Sequence, residues 1–304
     1  MDENTFILED RIAKIKSINE QYDLENNSYI AFSGGKDSCV LSKLIDIAIP
    51  NNHIPRVFSN TGIDYLMIIN HVKKLAKNDN RIVILNQTRN IKQTLIKKGY
   101  PFKSKVFSFN VDMFNRLGKC KTIRAFLGEE TTKNGNIKKG QFACPNELKY
   151  IFNKNGLQFK VSHLCCKLLK KDLAKKWQEI NNKKMVITGV RKSEGGSRIT
   201  LSCITNNGEK FNPLIVVNDN WENWFIEKYN VELCKLYYPP YNFKRTGCKG
   251  CPFDLHLQQD LETMFKLLPS EYKQCLYLWK PVYDEYIKIG YRLKYYPHEV
   301  LTND

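Results

Sequence analysis

The chain has 304 residues, enough for one large domain or two small ones, and its 42% hydrophobic and 12% aromatic content is that of a folded protein. No apolar run approaches the length of a bilayer span, and the opening Met1-Asp2-Glu3-Asn4 is acidic with no apolar signal core, so a cytoplasmic protein without a membrane partner is expected. The net charge of +17 favours polyanionic partners, nucleic acid first among them, although lysine-, asparagine- and isoleucine-rich composition also follows from AT-rich coding.

In chain order, the apolar run Tyr29–Phe32 predicts a strand, and the amphipathic stretch after it predicts a helix through about Ala48. Arg56–Ser59 reads as a second strand with a helix around Tyr65–Ala76. Arg81–Leu85 reads as a third strand with a helix near Ile91–Lys98. Strands alternating with helices argue for an α/β fold, a parallel twisted sheet flanked by helices. From about Gly99 to Gly156 the alternation stops. That segment is basic, with turn signals at Asn134-Gly135 and Lys139-Gly140 and a lysine pair at Lys138-Lys139, and it reads as an insertion or lid. A helix is expected from near Lys167, and Met185–Val190 has the character of a buried strand. Beyond Phe253 the pattern is helical, broken at Pro269-Ser270. The expected organisation is residues 1–252 as the α/β domain and 253–304 as a helical region packed on it. The aromatic run Tyr277, Trp279, Tyr283 and Tyr286 is read as core, with base stacking as the other use for such a stripe.

Ser33-Gly34-Gly35-Lys36-Asp37-Ser38 sits between the first strand and its helix. Paired glycines let the backbone approach a ligand and aim N–H groups at it, and the helix N-terminus adds partial positive charge. Lys36 adds a full charge, and Ser33 and Ser38 add hydroxyls, a donor set suited to nucleotide phosphates. The spacing is not that of a Walker loop. An ordinary glycine turn with a solvated lysine is the plain alternative.

Ten cysteines in a cytosolic chain argue for metal or thiol chemistry over disulfides. Cys165-Cys166 and Cys248-Lys249-Gly250-Cys251 form two short-spaced pairs able to serve one metal, with iron–sulfur, zinc or no metal left open by spacing alone. Cys39, Cys203, Cys234 and Cys275 are isolated and read as buried structural thiols. Cys120 and Cys144 fall in the insertion, where a thiol would be placed to face a nucleotide.

The SGGKDS motif in its strand–loop–helix setting resembles the PP-loop of the ATP pyrophosphatase superfamily, and specifically the phosphoadenosine phosphosulfate (PAPS) reductase family. The two cysteine pairs resemble the [4Fe–4S] ligand set of the iron–sulfur members of that family. Arg245-Thr246-Gly247-Cys248 with Cys251-Pro252-Phe253, Gly189-Val190-Arg191 with Glu194 and Arg198, and Thr61-Gly62 after the second strand are similar to further family segments, as are Pro213-Leu214 and the Trp221–Trp224 helix. The resemblance spans roughly 29 to 290 outside the insertion. It implies a Rossmann-like nucleotide fold, with Ser33, Gly34, Gly35, Lys36, Asp37, Ser38, Thr61, Gly62, Gly189, Arg191 and Arg198 toward an adenine nucleotide. Lys36, Asp37 and Arg191 would act on the phosphates, and Cys165, Cys166, Cys248 and Cys251 would hold the cluster.

Two features depart from sulfonucleotide reductases. Those enzymes usually carry a degenerate loop, and their nucleophilic cysteine lies in a Glu-Cys-Gly-(Ile/Leu)-His segment, whereas residues 291–304 contain no cysteine. An intact loop with a cluster is more similar to superfamily enzymes that thiolate tRNA or DNA. The expected chemistry is therefore ATP-dependent adenylylation coupled to sulfur transfer, with Mg²⁺ helped by Asp37, Asp64 and Glu194 being weaker candidates. A sulfur donor or partner protein is also implied. A sulfonucleotide reductase using Cys120, Cys144 or a partner's thiol, and a non-catalytic nucleotide and nucleic-acid binding module with a structural cluster, are the alternatives.

Overall fold

The structure is a computed structural model describing residues 2–131, 143–153 and 156–300. The turn signals at Asn134-Gly135 and Lys139-Gly140 and the pair Lys138-Lys139 lie outside the described residues. The chain begins with helices α1 (Glu3–Tyr22) and α2 (Leu24–Asn27), then alternates β1 (Ser28–Phe32), α3 (Lys36–Ala48), β2 (Arg56–Asn60), α4 (Leu66–Asn78) and β3 (Ile82–Asn86). Helices α5 (Ile91–Lys98), α6 (Lys105–Leu117) and α7 (Lys121–Leu127) follow. The sheet resumes after α8 (Asp172–Ile180) with β4 (Met185–Ile187), β5 (Ile204–Thr205), β6 (Lys210–Phe211) and helix α9 (Asp219–Lys228). The chain closes with α10 (Leu257–Leu267), α11 (Pro269–Lys288) and α12 (Pro297–Val300).

Contacts divide the chain into two compact units, each made of two segments. The first comprises 1–87 and 170–248 and holds the whole sheet; the second comprises 88–169 and 249–304. The sequence reading drew its boundary at 252/253 and set 99–156 on the sheet domain, whereas here 99–156 and 253–304 belong to the same unit.

The sheet order is β3-β2-β1-β4-β6-β5, with every pairing parallel except β5 with β6. The chain steps outward from β1 through β2 to β3, then returns to place β4 on the other flank of β1. Strand order reverses beside β1, at the point where the loops leave the carboxyl ends of β1 and β4. β1 is buried along nearly its whole length, as expected of an interior parallel strand, with Ile30 at 0% exposure. The matching helix α3 sinks Val40, Leu41, Leu44 and Ile45 completely, at the i, i+1, i+4, i+5 spacing of one helical face.

At the amino end of β2 the fully buried Arg56 is held on all sides. It donates to Asp46 Oδ1 at 2.6 Å, Asn52 Oδ1 at 2.8 Å and Ser42 Oγ at 3.2 Å, and also to the Ile54 carbonyl. Arg81 joins Asp46 at 2.8 Å.

In the second unit, the segment 99–156 contains α6 and α7, helices the sequence reading did not resolve, and Asn146–Phe152 forms a 3-10 turn. Their aromatic side chains pack together, Phe107 meeting Phe126 and Phe152 at 6.0 and 5.7 Å between ring centres. The C-terminal pattern stands as α10 and α11, with Pro269 opening α11, where its missing N–H costs nothing. The aromatic run on α11 divides. Trp279, Tyr283 and Tyr286 are fully buried, while Tyr277 is 67% exposed. Among the described residues no helix is long and apolar enough to cross a membrane.

Candidate functional site

The Ser33–Ser38 loop leaves β1 and becomes the first turn of α3, with Gly35 as its N-cap residue. Gly34 is required twice over. Its φ is +68°, and a Cβ there would lie 2.5 Å from Val72 Cγ2 of α4. The serines stiffen the turn: Ser33 N–H donates to Ser38 Oγ at 3.1 Å, Gly35 N–H donates to Ser33 Oγ at 3.3 Å, and Ser38 Oγ donates to the Gly35 carbonyl at 2.8 Å.

Lys36 is fixed at both ends. Its backbone N–H donates to Tyr237 Oη at 3.0 Å, and that hydroxyl lies 2.5 Å from Thr246 Oγ1 in the Arg245-Thr246-Gly247-Cys248 segment. Its ammonium sits 2.9 Å from Glu222 Oε2 on α9. Glu222 is 0% exposed. Burial, reinforced by the Asp37 charge and opposed by Arg191 and Lys36, pushes its carboxyl up to about 7.

Arg191 comes from the loop after β4 and reaches the same place. Nε donates to Asp37 Oδ1 at 2.6 Å, Nη1 donates to Asp219 Oδ1 at 2.6 Å, and Nη2 lies 3.3 Å from Glu222 Oε2. Gly189 lets this loop close on α3, since a Cβ there would meet the Asp37 backbone at 3.0 Å. The hydrogen bond from Arg191 holds the Asp219 carboxyl below its ordinary value.

The structure thus brings together Ser33, Gly34, Gly35, Lys36, Asp37, Ser38, Gly189 and Arg191 at the sheet's switch point. Arg198 is engaged elsewhere, 3.2 Å from Glu194, which also meets Arg245 at 2.6 Å. The GxR…E…R and RTGC segments are therefore joined through Glu194. Thr61 is buried, and its N–H and hydroxyl both donate to Asp64 Oδ2, at 2.7 and 2.8 Å. Asp64 shapes that turn, with Gly62 at φ +81°, and Asp37 meets Arg191 through Oδ1. Thr61 Oγ1 lies 4.0 Å from Cys248 Sγ.

Glu222, Asp219 and Tyr237 were not singled out from sequence. A carboxylate lodged in the stretch Trp221–Phe225, whose aromatic residues at 221 and 225 are buried, is the signal that marks Glu222.

The cysteines fall in both units. Cys248 is half-buried and closes the first. In the second, Cys165, Cys166 and Cys251 influence one another electrostatically. Burial raises the Cys165 thiol well above its ordinary value and pushes Cys251 up to about 12. Among the described residues no three His, Cys, Asp or Glu side chains gather as a set able to hold a metal ion. The helix expected from near Lys167 is present, opening with a π turn at Lys167–Lys171 that runs into α8. Cys39, Cys234 and Cys275 are buried as expected, Cys203 is half-buried, and Cys144 is buried with its thiol pushed up to about 11.

A mostly parallel sheet with a glycine loop, a lysine and a return arginine at its switch point defines an α/β protein of the PP-loop type. The sequence matches the phosphoadenosine phosphosulfate reductase domain over residues 27–253, and the chain belongs to that family. No curated protein matches it. Solved structures similar to it include the PAPS reductase of Candida auris in a phosphate complex, at 14% identity over 77% of this chain and 87% of that one, with a TM-score of 0.44. The NH3-dependent NAD synthetase of Campylobacter jejuni is 15% identical over 93% of this chain and 95% of that one, with a TM-score of 0.39. The U34-tRNA thiolase of Methanococcus maripaludis with its [4Fe-4S] cluster is 13% identical over 93% and 80%, with a TM-score of 0.38.

Proposed function

We propose that the chain is an enzyme that binds ATP with its Mg²⁺ at the Ser33–Ser38 loop and couples adenylylation of an acceptor to sulfur transfer. The observation that carries this reading is the intact loop, with Lys36 and Arg191 both held on Glu222 beside it. An acceptor oxygen attacks the α-phosphorus of ATP, the bond to the β-phosphate breaks, and pyrophosphate leaves. Sulfur at the oxidation level of sulfide, brought by a donor, then bonds to the activated acceptor atom while its bond to oxygen breaks and AMP departs. Lys36 and Arg191 offset the charge that grows on the departing pyrophosphate, and the loop N–H groups hold the phosphates in line. The +17 charge suits a nucleic acid, DNA or tRNA, as the acceptor. No step is routed through an iron–sulfur cluster.

The deciding experiment is a pyrophosphate-release screen with ATP, in the presence of sulfide and of DNA or tRNA. Nucleic-acid-stimulated pyrophosphate release, weakening steeply with salt, is expected. Thiol-dependent sulfite release from APS or PAPS, without ATP turnover, overturns the reading in favour of a sulfonucleotide reductase. ATP and nucleic-acid binding with no pyrophosphate formed, even with partner proteins added, points to a binding module.

A further inference from the structure

Glu222 stands out among the buried polar groups of the first unit. Its side chain has no exposure, and neither carboxylate oxygen makes a well-directed hydrogen bond. What faces it are two cations and a second carboxylate: Lys36 and Asp37 from α3 and Arg191 from the loop after β4. Asp219, one turn back on α9, takes the Nη1 side of Arg191. A carboxylate this deep is costly unless ionic partners hold it, and removing one partner of such a set disturbs the others.

We propose that Glu222 is the positioning residue of the phosphate loop, its buried carboxylate anchoring the Lys36 ammonium and the Arg191 guanidinium so that both face a bound polyphosphate. This rests on the reading of Ser33–Ser38 as a nucleotide site. An ammonium has three donors on a flexible stem, so an anchor that takes one leaves two for phosphate oxygens. The Lys36 side chain is 22% exposed, so without the anchor its tip is free to turn toward solvent. Arg191 is gripped by a carboxylate at each nitrogen, which leaves its plane no other orientation.

The test is a double-mutant cycle of Lys36→Met and Glu222→Gln. Inorganic tripolyphosphate and ATP are titrated calorimetrically at pH 8, and Lys36 acetylation by an N-hydroxysuccinimide ester is followed by mass spectrometry without ligand. Glu222→Gln is expected to weaken both ligands about tenfold, the worth of one charge-assisted contact, with no further loss in the Lys36→Met background. It is also expected to speed Lys36 acetylation by about the same factor as the tip is released. Glu222→Asp, which keeps the charge and recedes by one methylene, should fall between and serves if the glutamine variant does not fold. Unchanged or tighter binding, or losses that add independently to those of Lys36→Met, overturn the proposal. Unchanged acetylation overturns the anchor by itself, whatever the ligand does. A wild type that binds neither ligand, yet shows faster acetylation in Glu222→Gln, keeps the anchor and sinks the nucleotide reading, and with it the phosphate-facing role.

Discussion

The two ends of the β1–β2 strand pair carry similar side chains arranged to opposite purposes. At the amino end, Arg56 has Asp46, Asn52, Ser42 and a backbone carbonyl around it, and Arg81 completes the set. At the carboxyl end, Lys36 and Arg191 share Glu222, a carboxylate fully withdrawn from water with no well-directed hydrogen bond. A saturated network fixes one arrangement and holds the fold. In the second, one contact to Glu222 leaves the Lys36 ammonium further donors for an anion still to arrive. Charge type alone does not distinguish the two; satisfaction does.

The largest expected effect separates the ends cleanly. Lys36→Ala should lower pyrophosphate release from ATP by more than about a hundredfold, in the range seen when a transition-state charge partner is lost, with a smaller fall in unfolding free energy than Arg56→Ala because Arg191 still pairs with Glu222. A comparable loss of folding stability would erase the distinction. At the other end, Arg56→Ala should cost about 3–5 kcal/mol in urea unfolding, because a fully buried side chain is lost and the Asn52 and Ile54 acceptors it served are left without their donor, while ATP affinity of the remaining folded protein stays as it was. If affinity fell and stability did not, the comparison would be inverted.

A third carboxylate sharpens the point from the second unit. Burial, with Asp254 as neighbour and hydrogen-bond partner, pushes Asp260 up to about 8. A carboxyl raised on folding contributes its stability in full below its unfolded value near 3.8, and that contribution is lost as pH rises toward 8. Asp260→Asn should therefore raise the unfolding free energy by about 1–2 kcal/mol at pH 8.5 and leave it unchanged or lower at pH 4. Equal shifts at both pH values would show that ionisation is not what penalises this side chain. The smallest effect belongs to Tyr237→Phe. Losing the hydroxyl that accepts the Lys36 N–H and meets Thr246 should cost about 1 kcal/mol of nucleotide affinity by calorimetry. An effect as large as that of Lys36→Ala would move Tyr237 into the chemistry.

Much of this was legible in the chain. The runs at Tyr29–Phe32, Arg56–Ser59 and Arg81–Leu85 stand as β1, β2 and β3, because interior parallel strands are apolar on both faces and leave a continuous signal. Strands β5 and β6 hold two residues each, too short for any periodicity, and went unread. Helices α6 and α7 were hidden because their aromatic faces pack on each other inside a segment that also carries turn signals and basic residues. The glycine loop and Arg191 were legible from residue type and order. Glu222 was not, because its role depends on three elements meeting, and local pattern does not report what a helix face will touch.

The return of β4 to the flank of β1 has a consequence for synthesis. Ser28 pairs with Met185 and Ile30 with Ile187, partners more than 150 positions apart along the chain. While the ribosome is still making the intervening residues, one side of β1 presents bare N–H and C=O groups beside fully apolar side chains. Nascent chains stalled before Met185 should be the forms most dependent on chaperones and most prone to stick to one another, and release of the segment around Ile187 should end that vulnerable interval.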